Sequence, residues 1–126
     1  ASDLFLMPSR FEPCGLNQMY SLAYGTPPVV HATGGLKDTV VNADITTLTA
    51  GSATGFAFDV PTPACFLETI ELALALFNRP RLWQKLQKSG MTQDFGWESS
   101  AHRYLELYRS GEKPCMHRTM MSKRNK

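Results

Sequence analysis

The sequence predicts an α/β fold built on a parallel sheet, and two observations carry this prediction. The apolar run at residues 4–7, closed by Pro8 and Ser9, is typical of a strand buried on both faces of a sheet, and residues 28–31 form a second short strand. A glycine-containing loop and a stretch of helical character follow each run, at residues 16–23 and 36–41. This repetition favours parallel strands joined by crossover connections.

The middle of the chain predicts a third strand and a long helix. Residues 42–54 are polar and carry no predicted element, whereas residues 55–58 alternate in the manner of a strand. Thr62 and Pro63 supply an N-cap and a proline at the first helical position. Helical spacing assigns six apolar side chains to the buried stripe of this helix: Phe66, Leu67, Ile70, Ala73, Leu74 and Phe77.

Two more helices are predicted after a break. Asn78, Arg79 and Pro80 end the long helix and begin another that runs through Lys88. A final amphipathic helix is indicated by the spacing of five side chains: Trp97, Ala101, Tyr104, Leu105 and Tyr108. We expect the aromatic face of this helix to pack against another surface.

Composition is that of one modest globular unit with a basic end. The chain has 126 residues, of which 43% are hydrophobic, enough for a single core. Residues 1–109 carry eight Lys and Arg against ten Asp and Glu, whereas residues 110–126 carry five against one. We expect residues 1–109 to be folded and residues 110–126 to be a disordered tail, with a weak attraction to nucleic acid or an acidic partner as the alternative.

Several functional classes have no support in the sequence. Cys14, Cys65 and Cys115 are too widely spaced to indicate a disulfide framework or a zinc site, which fits a reducing compartment. No stretch is long and apolar enough to cross a bilayer, and no hydrolase or Walker motif is present. The sequence opens without Met, directly in an apolar strand, so we expect a fragment cut from a longer chain.

The loop at residues 9–18 is the first candidate site. Gly15 permits a tight turn, after which Leu16, Asn17 and Gln18 present free N–H groups at a helix N-terminus, an arrangement that attracts phosphate. Glu12 lies at the carboxyl end of the preceding strand, where a carboxylate can accept hydrogen bonds from sugar hydroxyls. The alternative is that Glu12 is an ordinary exposed loop acid and Gly15 a plain turn residue.

A second candidate site follows the second strand. Gly34 and Gly35 offer further backbone donors and Thr33 is placed to cap a helix or contact a ligand, although a Gly-Gly turn is more often purely structural. His31, at the end of the strand, is suited to acid–base work, but no paired acid is evident, which favours a structural histidine. Asp38 and Asp44 are uninformative.

The chain closely resembles the starch and glycogen synthase family, and the likeness covers residues 1–109. The motifs that carry it are Pro-Ser-Arg-Phe-Glu-Pro-Cys-Gly-Leu-Asn-Gln-Met-Tyr at 8–20, Tyr-Gly-Thr at 24–26, Pro-Val-Val at 28–30, Thr-Gly-Gly-Leu-Lys-Asp-Thr-Val at 33–40, the 55–58 and 79–83 stretches, and Met-Thr-Gln-Asp-Phe-Gly-Trp at 91–97. The resemblance implies the C-terminal part of a GT-B glycosyltransferase, a Rossmann-like parallel sheet with helices, plus terminal helices that cross back onto the N-terminal domain.

The resemblance also implies an activity and its ligands. Members of the family transfer glucose from ADP-glucose to the non-reducing end of an α-1,4-glucan with retention of configuration, and they need no bound metal or other cofactor. We therefore expect ADP-glucose, α-1,4-glucan and a missing N-terminal domain as partners, with no nucleic acid and no membrane. Without that domain and its Lys-x-Gly-Gly-Leu loop, this chain is expected to be inactive.

Residue roles follow from the same resemblance. Glu12 would hydrogen-bond the transferred glucose as the catalytic residue, and the backbone at Cys14 and Gly15 would approach the sugar. Leu16 and Asn17 would offer N–H groups to the nucleotide phosphates. The Thr33, Gly34 and Gly35 turn would complete the substrate site.

The sequence departs from related retaining transferases at position 20, and alternatives for the compartment and the function stay open. Related retaining transferases carry a second Glu eight residues after the first, a position held here by Tyr20, which together with Pro-Cys-Gly at 13–15 argues against a sucrose- or trehalose-forming enzyme. Asn17 and the His-Ala-Thr run at 31–33 resemble plant and algal soluble starch synthases, which predicts a plastid, with the bacterial cytoplasm as the alternative. A truncated, non-catalytic module that binds glucan or a partner synthase is the competing function.

Overall fold

A computed structural model describes residues 2–111 and contains three strands and six helices within that range. In chain order they are β1 (Phe5–Met7), α1 (Asn17–Ala23), β2 (Pro28–His31), α2 (Gly34–Thr39), α3 (Ile45–Ala50), β3 (Phe56–Phe58), α4 (Pro63–Phe77), α5 (Pro80–Met91) and α6 (Trp97–Gly111). The chain divides into two compact units. The first ends at Gln93, and the second begins at Asp94 and contains α6. The predicted tail lies, from residue 112 onward, outside the described residues.

The strands of the first unit form one parallel sheet in the order β1-β2-β3. Leu6 of β1 is paired with Val29 of β2, and Val29 is paired in turn with Phe56 of β3. A single bridge between Asn42 and Gly55 lies just before β3. The α/β class and all three predicted strands are confirmed.

The sheet has a buried core on each face. Successive side chains of a strand point to opposite faces, and accordingly Val29 and Val30 of β2 enter different clusters. Val29 packs with Phe56 of β3 and with Trp83 of α5, whose ring stacks on Phe56 at a centroid distance of 6.3 Å. Val30 packs with Leu36 of α2. Helices therefore cover the sheet on both sides. Because the strands are parallel, the carboxyl ends of all three lie at the same edge of the sheet.

Strand β1 is less buried than predicted. Leu6 is 48% exposed, because β1 is an edge strand of the described sheet. The prediction of a strand buried on both faces is therefore wrong for this residue. Phe5 and Met7, whose side chains point to the other face, are half-buried, and Met7 packs against the Val30 cluster.

The polar stretch at 42–54, for which the sequence predicted no element, contains helix α3. Helix α3 begins after Asp44, whose side chain accepts a hydrogen bond from the N–H of Thr47 at 2.8 Å while the Thr47 hydroxyl accepts from the N–H of Asp44. This reciprocal pair is a capping box. The N–H of Thr47 lowers the pKa of the Asp44 carboxyl, so Asp44 has a definite structural role.

The buried stripe of α4 also differs from the prediction. Thr62 caps the helix as expected, with its hydroxyl accepting from the N–H of Cys65. However, Leu67, Leu74 and Phe77 of the predicted stripe are 56%, 50% and 40% exposed, whereas Leu76, not assigned to the stripe, is buried. This helix is apolar around most of its circumference, so spacing alone does not identify the face that meets the sheet.

The last two helices are confirmed with shifted ends. Helix α5 runs to Met91, three residues beyond its predicted end. Helix α6 begins at Trp97 as predicted and contains no buried residue. None of the helices described at residues 2–111 is both long and apolar enough to span a membrane.

Candidate functional site

The loop between β1 and α1 has the predicted geometry. Gly15 adopts a φ of +70°, a conformation that favours glycine, and α1 starts two residues later with Leu16 at its N-cap. No side chain caps this helix. Within residues 2–111, no acceptor pairs with the N–H groups of Gly15, Leu16, Asn17 or Gln18. Several adjacent backbone donors are therefore free at the carboxyl edge of the sheet.

The turn after β2 packs directly against this loop. The N–H of Gly35 donates to the carbonyl oxygen of Glu12 at 3.3 Å. A Cβ atom at Gly34 would overlap that same carbonyl, and one at Gly35 would overlap the backbone of Cys14. Gly34 also has a φ of +47°, so a side chain is excluded on two grounds. The two candidate loops thus form one surface through backbone-to-backbone contact.

The side chain of Gln18, a residue that the sequence indicated only as a backbone N–H donor, holds the first loop in place. The side chain of Gln18 is fully buried, with an exposed fraction of 0%. Its Nε2 atom donates to the carbonyl oxygens of Cys14 and Gly15 at 3.2 and 2.8 Å, and to the hydroxyl of Thr39 in α2 at 3.0 Å. The Thr39 hydroxyl in turn donates to the carbonyl of Gly35 at 2.7 Å. The network joins both loops.

His31 joins the ends of the outer strands, as a structural histidine rather than a catalytic one. Its Nδ1 atom lies 2.8 Å from the carbonyl oxygen of Ser9, after β1, and its Nε2 atom lies 3.2 Å from that of Asp59, after β3. The ring is buried and packs on Phe58 at a centroid distance of 5.5 Å. The two ring nitrogens therefore face backbone oxygens of the loops after β1 and β3.

The predicted site residues differ in how accessible they are. Glu12, Gly15, Thr33 and Gly35 are half-buried, whereas the other four are exposed: Cys14, Leu16, Asn17 and Gly34. Cys14 is a free thiol. Thr33 occupies the N-cap position of α2, but its side chain makes no capping hydrogen bond, so the capping interpretation of Thr33 is wrong. The structure brings all eight residues to one edge of the sheet, and their roles toward a ligand stay predictions.

A concave surface lies beside the loop. Its volume is about 230 Å³, and Arg10 is the charged member of its lining. The walls come from Pro8, from Phe58 of β3 and from the segment that starts α4, including Pro61 and Phe66. This groove is predominantly apolar, in contrast to the backbone donors around Gly15.

Comparison with known proteins defines the class. The sequence model of the family described as "Glycosyl transferases group 1" matches residues 1–89. Glycogen synthase from Hydrogenovibrio crunogenus is 62% identical over 109 residues, which are 86% of this chain and 22% of that protein. Glycogen synthase from Thioalkalivibrio sulfidiphilus is 57% identical over 108 residues, with the same coverage of both chains, 86% and 22%.

Solved structures agree with this class. The catalytic domain of starch synthase IV from Arabidopsis thaliana, bound to ADP and acarbose, superposes with a TM-score of 0.77 at 40% identity over 87% of this chain and 22% of its own. Sucrose-phosphate synthase from Thermosynechococcus elongatus reaches a TM-score of 0.62 at 28% identity over 86% of this chain and 25% of its own. The fold is therefore that of a glycosyltransferase. The chain belongs to the group 1 glycosyl transferases and, within them, to the starch and glycogen synthase family.

The chain spans about a fifth of the length of the curated relatives it matches, consistent with the expected C-terminal part of a GT-B enzyme. These relatives are bacterial and share 57 to 62% of their residues with the chain, against 40% for the plant enzyme. The predicted plastid origin, which depended on Asn17 and the run at 31–33, is not supported.

Proposed function

We propose that the chain is the donor-binding part of a retaining glycogen synthase that transfers glucose from ADP-glucose to the non-reducing end of an α-1,4-glucan. The observation that carries the proposal is the joined surface at the carboxyl edge of the sheet. There the Glu12 loop rests on the turn at Gly34 and Gly35, and the N–H groups of Gly15 and Leu16 have no acceptor within residues 2–111. The ADP and acarbose bound to the starch synthase IV relative are the ligands that such a surface suits.

The chemistry follows from the arrangement of donors. As the glucosyl bond breaks, negative charge grows on the leaving diphosphate, and fixed N–H groups at residues 15–17 stabilise this charge in place of a metal ion. Glu12 accepts hydrogen bonds from the glucose hydroxyls and orients the sugar for transfer. We propose no bound cofactor, with ADP-glucose and glucan as the only ligands of the site.

The sequence relatives favour a bacterial setting. We propose a bacterial cytoplasmic enzyme whose remaining length supplies the acceptor side of the cleft. A non-catalytic glucan-binding module is not favoured, because the loop at residues 9–18 has Glu12, and glycine occupies positions 15, 34 and 35, where the backbone geometry leaves no room for a side chain. A sucrose-forming activity is not favoured either, given the lower likeness to sucrose-phosphate synthase.

A hybrid enzyme tests the proposal. Residues 1–109 replace the matching segment of a bacterial glycogen synthase, and incorporation of labelled glucose from ADP-glucose into glycogen is measured with and without EDTA. The unsubstituted hybrid should be active in both conditions. Glu12→Ala should lower incorporation by on the order of 100-fold or more, because a charge-assisted contact to the reacting sugar is lost.

Glu71→Ala is the matched control for this experiment. Glu71 is an exposed carboxylate on α4, away from the strand ends, so its removal should leave incorporation within about twofold of the unsubstituted hybrid. An inactive hybrid in which both segments are folded would count against the proposed activity. Equal activity of Glu12→Ala and Glu71→Ala would remove Glu12 from the site.

A further inference from the structure

Gln18 is the most completely buried polar side chain next to the site. It sits in the first turn of α1 and is enclosed by the loop before the helix and by α2. Its Nε2 atom has three acceptors, on Cys14, Gly15 and Thr39, whereas its Oε1 atom has none within residues 2–111. The opposite orientation of the amide would place Oε1 against two carbonyl oxygens. The surroundings therefore fix which way the amide points.

The two carbonyls that Gln18 binds determine where two N–H groups point. No peptide bond of the described chain is cis, and in a trans peptide the C=O and the following N–H point in opposite directions. A Cys14 carbonyl held toward Gln18 therefore turns the N–H of Gly15 away from Gln18. The Gly15 carbonyl does the same for the N–H of Leu16. One buried amide thus orients two consecutive donors.

The buried amide of Gln18 also leaves no room for a side chain at residue 15. A Cβ atom at Gly15 would lie 2.5 Å from Oε1 of Gln18, closer than non-bonded atoms approach. The loop closes over the amide only where no side chain intervenes. Thr39 completes the arrangement, because its hydroxyl accepts from Gln18 and donates to Gly35, so the orientation of the first loop is tied to the turn under Glu12.

We propose that Gln18 is a positioning residue, whose side-chain amide sets the directions in which Gly15 and Leu16 present their N–H groups to the diphosphate of the sugar nucleotide. The identity of the ligand rests on the proposed function, whereas the orientation of the two N–H groups does not. Gln18 itself is buried under the loop and contacts no ligand.

Residual dipolar couplings of the 126-residue chain measure this orientation directly. Gln18→Met keeps the length and shape of the side chain and removes its donors. The N–H couplings of Gly15 and Leu16 should shrink by about half or more as these vectors become mobile, while those of β2 stay unchanged. Unaltered couplings at both residues would overturn the proposal.

Gln87→Met is the matched control. Gln87, on α5, donates through Nε2 to the carbonyl of Gly25 at 2.7 Å, so it is also a glutamine holding a loop carbonyl, but at the other end of α1. Its substitution should leave the couplings of Gly15 and Leu16 as they are. Thr39→Val, which removes one acceptor and leaves the two carbonyl bonds, is the milder variant. It should change the same two couplings by less than Gln18→Met does. If neither Gln18→Met nor Thr39→Val changed these couplings, the network would be refuted.

The hybrid enzyme supplies the second readout. Gln18→Met should lower kcat/KM for ADP-glucose by roughly 10- to 100-fold, less than the loss expected for removing a preorganised donor, because the two N–H groups are misdirected and not removed, and it should leave the KM for glycogen unchanged. Gln87→Met should stay within about twofold of the unsubstituted hybrid. An active hybrid that tolerates Gln18→Met refutes the positioning role and leaves the proposed function intact. An inactive unsubstituted hybrid counts against the proposed function alone, because the couplings still decide the orientation.

Discussion

Two glycines decide how the candidate site is assembled at the level of single residues. Gly34 and Gly35 let one backbone lie directly on another, which places the turn after β2 under the loop that carries Glu12. The sequence left open whether this Gly-Gly pair was structural or functional. The contact shows a structural role for the turn, which supports the loop that carries Glu12.

Gly34→Ala should therefore displace the Glu12 loop as well as destabilise the fold. The new Cβ would meet the Glu12 carbonyl, and alanine is strained at a φ of +47°. We expect a loss of about 2–4 kcal/mol in the free energy of unfolding, the sum of backbone strain and a steric overlap that no side-chain motion relieves. Urea unfolding followed by circular dichroism measures it.

Gly51→Ala separates strain from overlap. Gly51 has a φ of +76°, but a Cβ there would meet only the flexible end of Lys85. Its loss should be near 1 kcal/mol, the contribution of the left-handed conformation alone. If the two substitutions cost the same, the contact with Glu12 contributes nothing.

The sequence pointed to Glu12, Gly15 and the Gly-Gly turn, but it indicated Gln18 only as a backbone donor and not for its side chain. Glycines and a carboxylate at strand ends are visible in local spacing. A glutamine in the first turn of a helix resembles any solvated helical residue, and its burial depends on Thr39, 21 positions later. Only a spatial neighbour reveals such a residue, so local pattern could not have identified it.

Among the secondary-structure elements, the three strand ends are coupled through His31. The loops that follow β1 and β3 are separated by β2, and the His31 ring spans them with one nitrogen close to a backbone carbonyl oxygen on each side. These contacts fix the start of the loop that leads to Glu12 relative to the start of α4. The carboxyl edge is thereby held as a unit.

His31→Ala should destabilise the first unit by about 2–4 kcal/mol. The polar contacts of the ring with two backbone carbonyl oxygens are lost, and the space left beside Phe58 forms a cavity. His102→Ala on α6 is the control, because its ring is exposed and bonds only within its own helix, so its effect should stay within about 0.5 kcal/mol. Chemical denaturation of the two variants compares them, and equal stabilities would contradict the bridging role.

Elements with strong local signals were predictable, and elements without them were not. Thr62 with Pro63 marked the start of α4 correctly, whereas α3 went unrecognised because its sequence lacks an apolar period and depends on the capping box between Asp44 and Thr47. The face of α4 was misassigned because Leu74 and Leu76 are equally apolar. The position of the sheet, not hydrophobicity, decides which of them is buried.

On the scale of the whole molecule, the described part of the second unit, residues 94–111, has an exposed apolar surface. The described part of this unit is essentially one helix, and Trp97 is 88% exposed on it, with Tyr104 and Tyr108 also exposed. A single amphipathic helix has no second layer against which to pack its stripe. The predicted need for a partner surface is consistent with this exposure.

The 126-residue chain should therefore self-associate. Light scattering after size-exclusion chromatography should give an average mass above 14.0 kDa that rises with concentration, because an exposed aromatic patch favours association. The triple variant Trp97→Lys, Tyr104→Glu, Tyr108→Lys should return the mass to that of a monomer. Glu106→Lys alters the same helix without removing an aromatic residue, and it should leave association unchanged. A monomer at every concentration would contradict this expectation.

The network around Gln18 has a consequence for how the protein folds. The loop after β1 is held by residues 31, 35 and 39, all of which come later in the chain, so it cannot acquire its final shape until β2 and α2 have docked. Opening of this loop therefore requires opening of the surrounding α/β layers rather than local fraying. The proposed nucleotide-sugar site would therefore be lost only when these layers open, and slow amide exchange at Gly35 would report on that opening.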